Sequence, residues 1–207
     1  MSADVENRNW RNIYGFMPDW AIIQMIKEGI IGIDPLREGI WEENMGPVTI
    51  DFHLGRRVLI PQKQDDKVIK VKQGILLEDH KEKFLKPGEE IYIKAGAFII
   101  AEVQERLRLP NDVIGFLDGK SSLARLGVVV HLTAGRFDPG WDNIPVLEFK
   151  NSSENGVEIP EGWPVCAFLY YRMMAEVDRP YGVRGRYVGA EGIQSLAHLE
   201  PENGGGK

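Results

Sequence analysis

The sequence predicts a mainly β domain, a sandwich or barrel of short strands with a few short helices. Glycine and proline exceed their average frequencies, with 23 glycines and 12 prolines among 207 residues. Because both residues favour turns, this excess favours many short strands over a helical bundle. Residues Val48 to Leu54 alternate apolar and polar side chains, which is the period of a half-buried strand.

The other elements are predicted from the same kinds of local signal. Trp20 to Glu28 is predicted to be a helix, with Asp19 as its N-cap and Gly29 as its end. The charged stretch at 62–90 predicts exposed hairpins. Further strands are predicted at 91–100, 146–149 and 165–171, with a turn at 159–162.

Chain length and local composition predict one domain with an embellishment at each end. We expect an N-terminal extension at 1–16, the domain itself at 17–192, and a flexible tail at 193–207 that contains three consecutive glycines. No repeat of 20 to 50 residues is visible, so repeat architectures are not expected.

Charge and cysteine content exclude several classes of protein. The 25 basic and 31 acidic residues give a net charge of −6, which argues against a broad surface for nucleic acid. The single cysteine, Cys166, cannot form an internal disulfide or supply the cysteine pair of a zinc deaminase. No export signal or membrane span is visible, and a cytoplasmic location is expected.

One segment in the middle of the chain combines groups that could bind an anion. Ser121 and Ser122 are suitable N-caps, Leu123 to Leu126 can form one helical turn, and Gly127 can end it. Ser121 and Arg125 are four residues apart and would share a helix face, with Lys120 beside them. Such a helix start can hold a phosphate or a carbonyl oxygen. The competing interpretation is a serine pair that only caps a surface turn.

Glu148 is a candidate general base. In an extended segment its neighbours on both faces are apolar, so desolvation would raise the pKa of its carboxylate. The alternative is an edge-strand glutamate that faces solvent or pairs with a surface lysine. Asp138 precedes Pro-Gly and is equally suited to a structural turn, and His131, after three valines, is typical of a core histidine.

Three linked motifs together resemble the dCTP deaminase family of the dUTPase-like superfamily. They are Ser-Ser-Leu-Ala-Arg-Leu-Gly at 121–127, His-x-Thr-Ala-Gly-Arg-Phe-Asp-Pro-Gly-Trp at 131–141, and Val-Leu-Glu-Phe-x-Asn at 146–151. The resemblance keeps the family's spacing, with 13 residues from Arg125 to Asp138 and 10 from Asp138 to Glu148. It extends more weakly over most of residues 17 to 192.

The resemblance implies a fold, an assembly and a reaction. It implies a dUTPase-like β-barrel or jelly-roll-type domain that forms homotrimers with active sites at the subunit interfaces. The implied reaction is hydrolysis of the cytosine amine of dCTP to dUTP and ammonia, with dTTP as a candidate inhibitor. Magnesium would accompany the triphosphate, no protein side chain would bind a metal, and zinc would not take part. No nucleic acid or membrane partner is implied.

The resemblance also assigns roles to individual residues. Glu148 matches the carboxylate that takes a proton from water and returns it to the base. Ser121 and Arg125 match the groups that hold the water and the carbonyl oxygen or phosphate, and Asp138 matches the residue at the deoxyribose hydroxyl. The remaining matches are the nucleotide-binding run Lys120, Ser121, Ser122, Leu123, Ala124 and Arg125, and the segment at the pyrimidine edge, Val146 and Leu147.

The C-terminal segment departs from the family pattern. The pattern has a Tyr, a Lys-Tyr pair and a Gln that close over the triphosphate. Tyr181 is present, Arg186 stands at the Lys position, and Ala190 stands at the Gln position. Arginine keeps the attraction for phosphate, so Tyr181 and Arg186 remain candidate binding residues, whereas the amide contact is lost.

Two alternatives to a simple deaminase stay open. A bifunctional enzyme would convert dCTP directly to dUMP; Gly135 resembles that subgroup, whereas Trp141 and Ala167 resemble the deaminase-only members. A catalytically silent nucleotide-binding or regulatory protein on the same fold is the other alternative, and a buried base would serve it no purpose. A plain dUTPase fits less well because its glycine-rich C-terminal motif is not visible.

Overall fold

The computed structural model describes residues 8–36, 43–62, 68, 77–185 and 192–193. Within them the chain is mainly β, with three short α-helices. The helices are α1 Asp19–Lys27, α2 Ser121–Arg125 and α3 Tyr181–Arg184. The strands are β1 Gly15–Phe16, β2 Gly32–Asp34, β3 Thr49–Pro61, β4 His80–Phe84, β5 Glu90–Ile93, β6 Phe98–Val103, β7 Arg106–Arg108, β8 Val113–Gly119, β9 Val128–Val129, β10 Arg136–Phe137, β11 Asp142–Asn143, β12 Val146–Asn151, β13 Val157–Pro160 and β14 Pro164–Arg172.

Most strands belong to one nine-stranded sheet. Its order is β10-β8-β14-β3-β6-β12-β9, with β1 paired to β14 and β4 paired to β3. A three-stranded sheet, β11-β7-β2, and the pair β13-β5 complete the described fold. One apolar cluster joins the sheets and includes the fully buried rings of Phe52, Phe149 and Phe168. Strands β14 and β3 are neighbours in the middle of this sheet, between β8 and β6.

Helix α1 confirms the predicted helix and its end but not its cap. Pro18 occupies the N-cap, and Asp19 is the first helical residue, where its carboxylate accepts from the N–H of Trp20 at 2.7 Å. The predicted cap is therefore wrong by one residue, because proline already has the extended backbone that this position needs. Gly29 follows the helix at φ +70°, a conformation that glycine adopts without strain.

Strand β3 is longer and more deeply buried than the alternating pattern at 48–54 predicts. It extends to Pro61 because β4 pairs with its second half. Its polar residues Asp51 and His53 are 9% and 3% exposed, although a half-buried strand would leave polar positions in water. Each has a charged partner distant in the sequence, which makes burial tolerable: Lys120 for Asp51 and Glu105 for His53.

The later strand predictions are confirmed with small shifts. Residues 91–100 form two strands, β5 and β6, whereas 146–149 and 165–171 become β12 and β14. The predicted turn at 159–162 lies partly in β13, and the chain reverses at Glu161 and Gly162. The charged stretch at 62–90 lies partly outside the described residues, and its described part contains β4.

Residues 8–16 of the predicted N-terminal extension pack against the domain. Trp10 is 6% exposed, and the guanidinium of Arg172 lies 4.7 Å from the centroid of the Trp10 ring. Gly15 and Phe16 then form β1 along the end of β14. Of the predicted tail, only Ile193 is described, and it is buried. None of the helices in the described ranges is long and apolar enough to cross a membrane.

Candidate active site

Helix α2 carries the predicted anion-binding residues. It spans Ser121–Arg125, whereas the sequence predicts one turn at 123–126 with the serines as caps. The structure places Lys120 at the N-cap without a side-chain cap hydrogen bond, so the serine capping role is wrong. Leu123 anchors the helix in the core, and Ser121, Ser122, Ala124 and Arg125 are exposed. The serine hydroxyls are therefore accessible to a ligand.

Gly127 ends the turn as predicted and fixes how the helix joins the sheet. Its φ of +82° lies in the left-handed region, and a Cβ there would lie 2.8 Å from Cβ of Ser153. Its carbonyl accepts the N–H of Ser152 at 2.8 Å. The chain then enters β9, which pairs with Lys150 and Asn151 of β12. This connection links α2 to the strand that carries Glu148.

Glu148 lies in the interior of the sheet, half-buried between its buried neighbours Leu147 and Phe149. Burial raises the pKa of its carboxylate above the usual value, and this effect outweighs the hydrogen bond that the carboxylate accepts from the N–H of Leu132. The nearby His131 also favours the ionised form. Neither the solvent-facing nor the lysine-paired alternative describes this carboxylate. A raised pKa suits a general base.

The loop at 130–135 supports the carboxylate, a role that the sequence did not suggest for it. Leu132 supplies its N–H to Glu148, and Nδ1 of His131 is buried without a hydrogen-bond partner in the described structure. His131 is thus not the satisfied core histidine that its sequence context suggests. Gly135 lets the loop close on itself, since a Cβ there would lie 3.0 Å from Cε1 of His131 and 3.1 Å from the carbonyl of Leu117.

The predicted pyrimidine-reading residues lie next to Glu148 on the same strand. Val146 is half-buried, Leu147 is buried, and β6 pairs with β12 on one edge from Val146 to Lys150. On the other edge, the described pairing with β9 covers only Lys150 and Asn151. Backbone groups of Val146 to Glu148 on that edge have no described strand partner and could bind the edge of a base.

Asp138 and Tyr181 form a second part of the site. The carboxylate of Asp138 pairs with Arg136 at 2.8 Å and stays partly exposed. The N–H of Tyr181 donates to the carbonyl of Pro139 at 2.8 Å, and its ring lies 4.8 Å from that of Trp141, measured between centroids. The described part of the C-terminal segment therefore contacts the Asp138 turn. Arg186, Tyr187 and Ala190 lie outside the described residues.

Lys120 is held by a residue that the sequence did not suggest. Its Nζ donates to Oδ2 of Asp51 on β3 at 2.5 Å. Asp51 belongs to the alternating segment at 48–54. A carboxylate in the interior of a predicted strand is the sequence signal that could have indicated this residue. The ion pair ties the residue before α2 to the centre of the sheet.

The predicted site residues lie in separate groups in the described structure. Among the described residues, neither Ser121 nor Arg125 makes a side-chain hydrogen bond or ion pair, and neither contacts Glu148 in this way. The structure groups Glu148 with the 130–135 loop, and Asp138 with Trp141 and Tyr181. No cluster of three or more His, Cys, Asp or Glu in the described ranges could hold a metal ion.

Comparison with known proteins identifies the family. The family model for dCTP deaminase-like proteins matches residues 16–173, which include all three motifs, Glu148 and Asp138 but not Tyr181. The chain belongs to the dCTP deaminase-like family. The dCTP deaminase of Idiomarina loihiensis is 35% identical over 173 residues, covering 80% of this chain and 87% of that protein. The dCTP deaminase of Rhodospirillum rubrum is 36% identical over 173 residues, covering 80% and 86%.

A solved structure has the same fold as this family member. The 2′-deoxycytidine 5′-triphosphate deaminase of Agrobacterium tumefaciens superposes with a TM-score of 0.60 at 16% identity. The alignment covers 77% of this chain and 48% of the solved chain, so the present chain corresponds to about half of that longer one. The predicted mainly β fold class is thereby confirmed.

Proposed function

We propose that this member of the family catalyses the hydrolytic deamination of dCTP to dUTP and ammonia. The observation that carries the proposal is Glu148, a half-buried carboxylate with a raised pKa at the position of the family's catalytic base. Relatives named dCTP deaminase at 35% and 36% identity support the choice of substrate.

Glu148 begins the reaction by removing a proton from water, and the water oxygen bonds to C4 of the cytosine. The carboxyl group delivers this proton to ring N3 of the cytosine. The proton of the new C4 hydroxyl group is then transferred to the amine, the C4–N bond breaks, and ammonia leaves as the C4 carbonyl forms. Arg125 and Ser121 stabilise negative charge that develops on the carbonyl oxygen and hold the water. One positioned base contributes about 10²- to 10⁴-fold in rate.

The other residues bind the nucleotide. The backbone of Val146 and Leu147 reads the pyrimidine edge, and Asp138 accepts a hydrogen bond from the deoxyribose hydroxyl. Lys120, Ser122 and the N–H groups at the start of α2 bind phosphate, and Leu123 and Ala124 shape this turn. Tyr181, and Arg186 beyond the described ranges, close over the triphosphate.

Magnesium fits this donor set as an ion carried by the triphosphate. The described ranges hold no three-residue cluster of His, Cys, Asp or Glu, which leaves phosphate oxygens as the main ligands. When bound, magnesium neutralises part of the phosphate charge. With one cysteine in the chain, activation of water is assigned to Glu148 rather than to a zinc ion.

The proposed active unit is a homotrimer with sites between subunits. Ser121 and Arg125 are exposed, and neither is bonded to Glu148 within the described chain. The apolar side chains of Leu126, Val129 and Leu132 are also 54%, 40% and 51% exposed beside the site, as expected of residues that a neighbouring subunit covers. dTTP, which resembles the product nucleotide, is the proposed inhibitor.

A product assay tests the reaction. The protein is incubated with dCTP and magnesium, and the nucleotides and ammonia are resolved over time. We expect dUTP and ammonia in equal amounts. Formation of dUMP and diphosphate would favour the bifunctional alternative, which Gly135 supports, and binding of dCTP without turnover would favour the silent alternative.

A further inference from the structure

The ion pair between Lys120 and Asp51 spans an intervening strand. Lys120 directly follows β8, Asp51 lies on β3, and β14 runs between them. Ala167 of β14 is the cross-strand partner of both Asp51 and Asp118. Directly opposed residues share a face of the sheet, so only a methyl group separates the two carboxylates on this face. The long lysine stem crosses this gap to reach Asp51.

Asp51 is a fixed anchor. Its side chain is 11% exposed, against 30% for Lys120. Its N–H donates to the carbonyl of Asn44 at 2.9 Å, and its strand pairs with β14 at this position. Since the carboxylate belongs to a central strand and Lys120 to a connecting turn, the carboxylate positions the lysine and not the reverse.

Lys120 in turn sets the start of α2. It occupies the N-cap with extended backbone, and its carbonyl accepts the N–H groups of Leu123 and Ala124, both at 3.0 Å. Its own N–H is directed to the carbonyl of Val165 at 3.4 Å. A shift of Lys120 would therefore also move the N–H groups of Ser121 and Ser122 at the start of α2.

The electrostatic surroundings agree with a closely packed pair of charges. Burial raises the pKa of the Cys166 thiol well above its usual value; the carboxylates of Glu105 and Asp51 add to the rise and Lys120 opposes it. Glu105 has its own partner, since its Oε1 lies 2.6 Å from Nδ1 of His53. Loss of Lys120 would leave the Asp51 carboxylate buried near Glu105 without a cation.

We infer that Asp51 is a positioning residue for nucleotide binding, which acts through Lys120 by holding its ammonium group and the start of α2 in the binding arrangement. The inference rests on the proposed binding of a nucleoside triphosphate at α2. A lysine that is already ordered does not have to be immobilised when the triphosphate binds. Asp51 itself does not contact the substrate.

A kinetic comparison tests this role in the full-length protein. Asp51→Asn keeps the shape of the side chain and removes its charge; we expect KM for dCTP to rise about tenfold, equivalent to 1.4 kcal/mol, with kcat within about twofold. Asp118→Asn is the matched control, because it removes a carboxylate from the same face that is not bonded to Lys120, and its KM should stay within about twofold of the original. An unchanged or lower KM in Asp51→Asn would overturn the inference.

A double-mutant cycle tests the coupling without relying on activity. Lys120→Met should lower Tm because it leaves the Asp51 carboxylate buried without a cation. Adding Asp51→Asn should recover most of the lost Tm. In the Lys120→Met background, Asp51→Asn should also leave the calorimetric Kd for dCTP unchanged within about twofold. Additive losses in Tm would contradict the pairing, whatever the activity. Absence of deamination by the unmodified protein would refute the proposed function alone.

Discussion

The N–H of Leu132 donates a hydrogen bond to the carboxylate of Glu148 and so joins the 130–135 loop to β12. The bond favours the ionised carboxylate, whereas burial favours the neutral acid, and burial prevails. The loop therefore holds in place a carboxylate that retains a raised pKa. A base in this condition binds a proton more readily than an exposed glutamate does.

Glu148 should reduce the stability of the folded protein once it is ionised. Because its pKa is higher in the folded than in the unfolded chain, the free energy of unfolding falls as the pH rises through the folded-state pKa. We expect Glu148→Gln to have a higher Tm than the original protein at about pH 8, and the difference to disappear at about pH 4. Thermal unfolding across this range measures it. The exposed Glu154→Gln is the control, and a lower Tm for Glu148→Gln at the higher pH would refute the raised pKa.

Gly127 should tolerate no side chain. Gly127→Ala adds backbone strain of about 1–2 kcal/mol and also forces a methyl group against Ser153, so both stability and deamination should fall. Gly96→Ala provides the matched control, because Gly96 has φ +72° and no atom within 4 Å of a Cβ. Denaturant unfolding should show the larger loss for Gly127→Ala. Equal losses of unfolding free energy in the two variants would mean that the contact with Ser153 does not add to the destabilisation.

Asn151 should stabilise the end of β12 next to the site. Its fully buried amide donates to the carbonyls of Ile93 and Asn155 at 3.0 and 2.8 Å and accepts from Ser153. Asn151→Ala removes the amide donor to the Ile93 carbonyl and the acceptor for the Ser153 N–H, and should cost about 2–4 kcal/mol of unfolding free energy. In Asn155→Ala the backbone carbonyl remains, so the cost should stay below about 0.5 kcal/mol. Similar costs for the two variants would be inconsistent with this network.

Trp141 should position Tyr181 over the nucleotide. The two rings lie 4.8 Å apart, and Trp141 also packs on Phe137 at 4.9 Å. We expect Trp141→Ala to raise KM for dCTP about tenfold, with a smaller effect on kcat, because the closing segment loses its packing surface. Trp163→Ala, at an exposed turn, serves as the control. A change confined to kcat would place Trp141 in a different role.

Local sequence signals predicted the elements that depend on local physics. Gly29 and Gly127 end helices as expected because each adopts a positive φ that other residues avoid. The alternating burial of β12 follows from the pleat and gave Glu148 its flanking apolar neighbours. The N-cap predictions at Asp19 and Ser121 were each wrong by one residue. The preceding residues, Pro18 and Lys120, already provide the extended backbone of an N-cap.

Long-range pairing lay beyond these signals. The polar residues of β3 were expected in water on local grounds, yet Lys120 and Glu105, which make their burial tolerable, are 69 and 52 residues away from Asp51 and His53. The hydrogen bond from Leu132 to Glu148 depends on how the 130–135 loop folds back. The three motifs identified the chemistry of the site, but not which residues hold Lys120 and Glu148 in position.

The central claim, that Glu148 is the base in deamination of dCTP, is tested most directly by Glu148→Gln. Steady-state release of ammonia from dCTP is measured together with the calorimetric Kd for dCTP, in the variant and the original protein. The account predicts that kcat falls by at least about 10²-fold while Kd changes by less than about threefold. Turnover by Glu148→Gln within about tenfold of the original would contradict it.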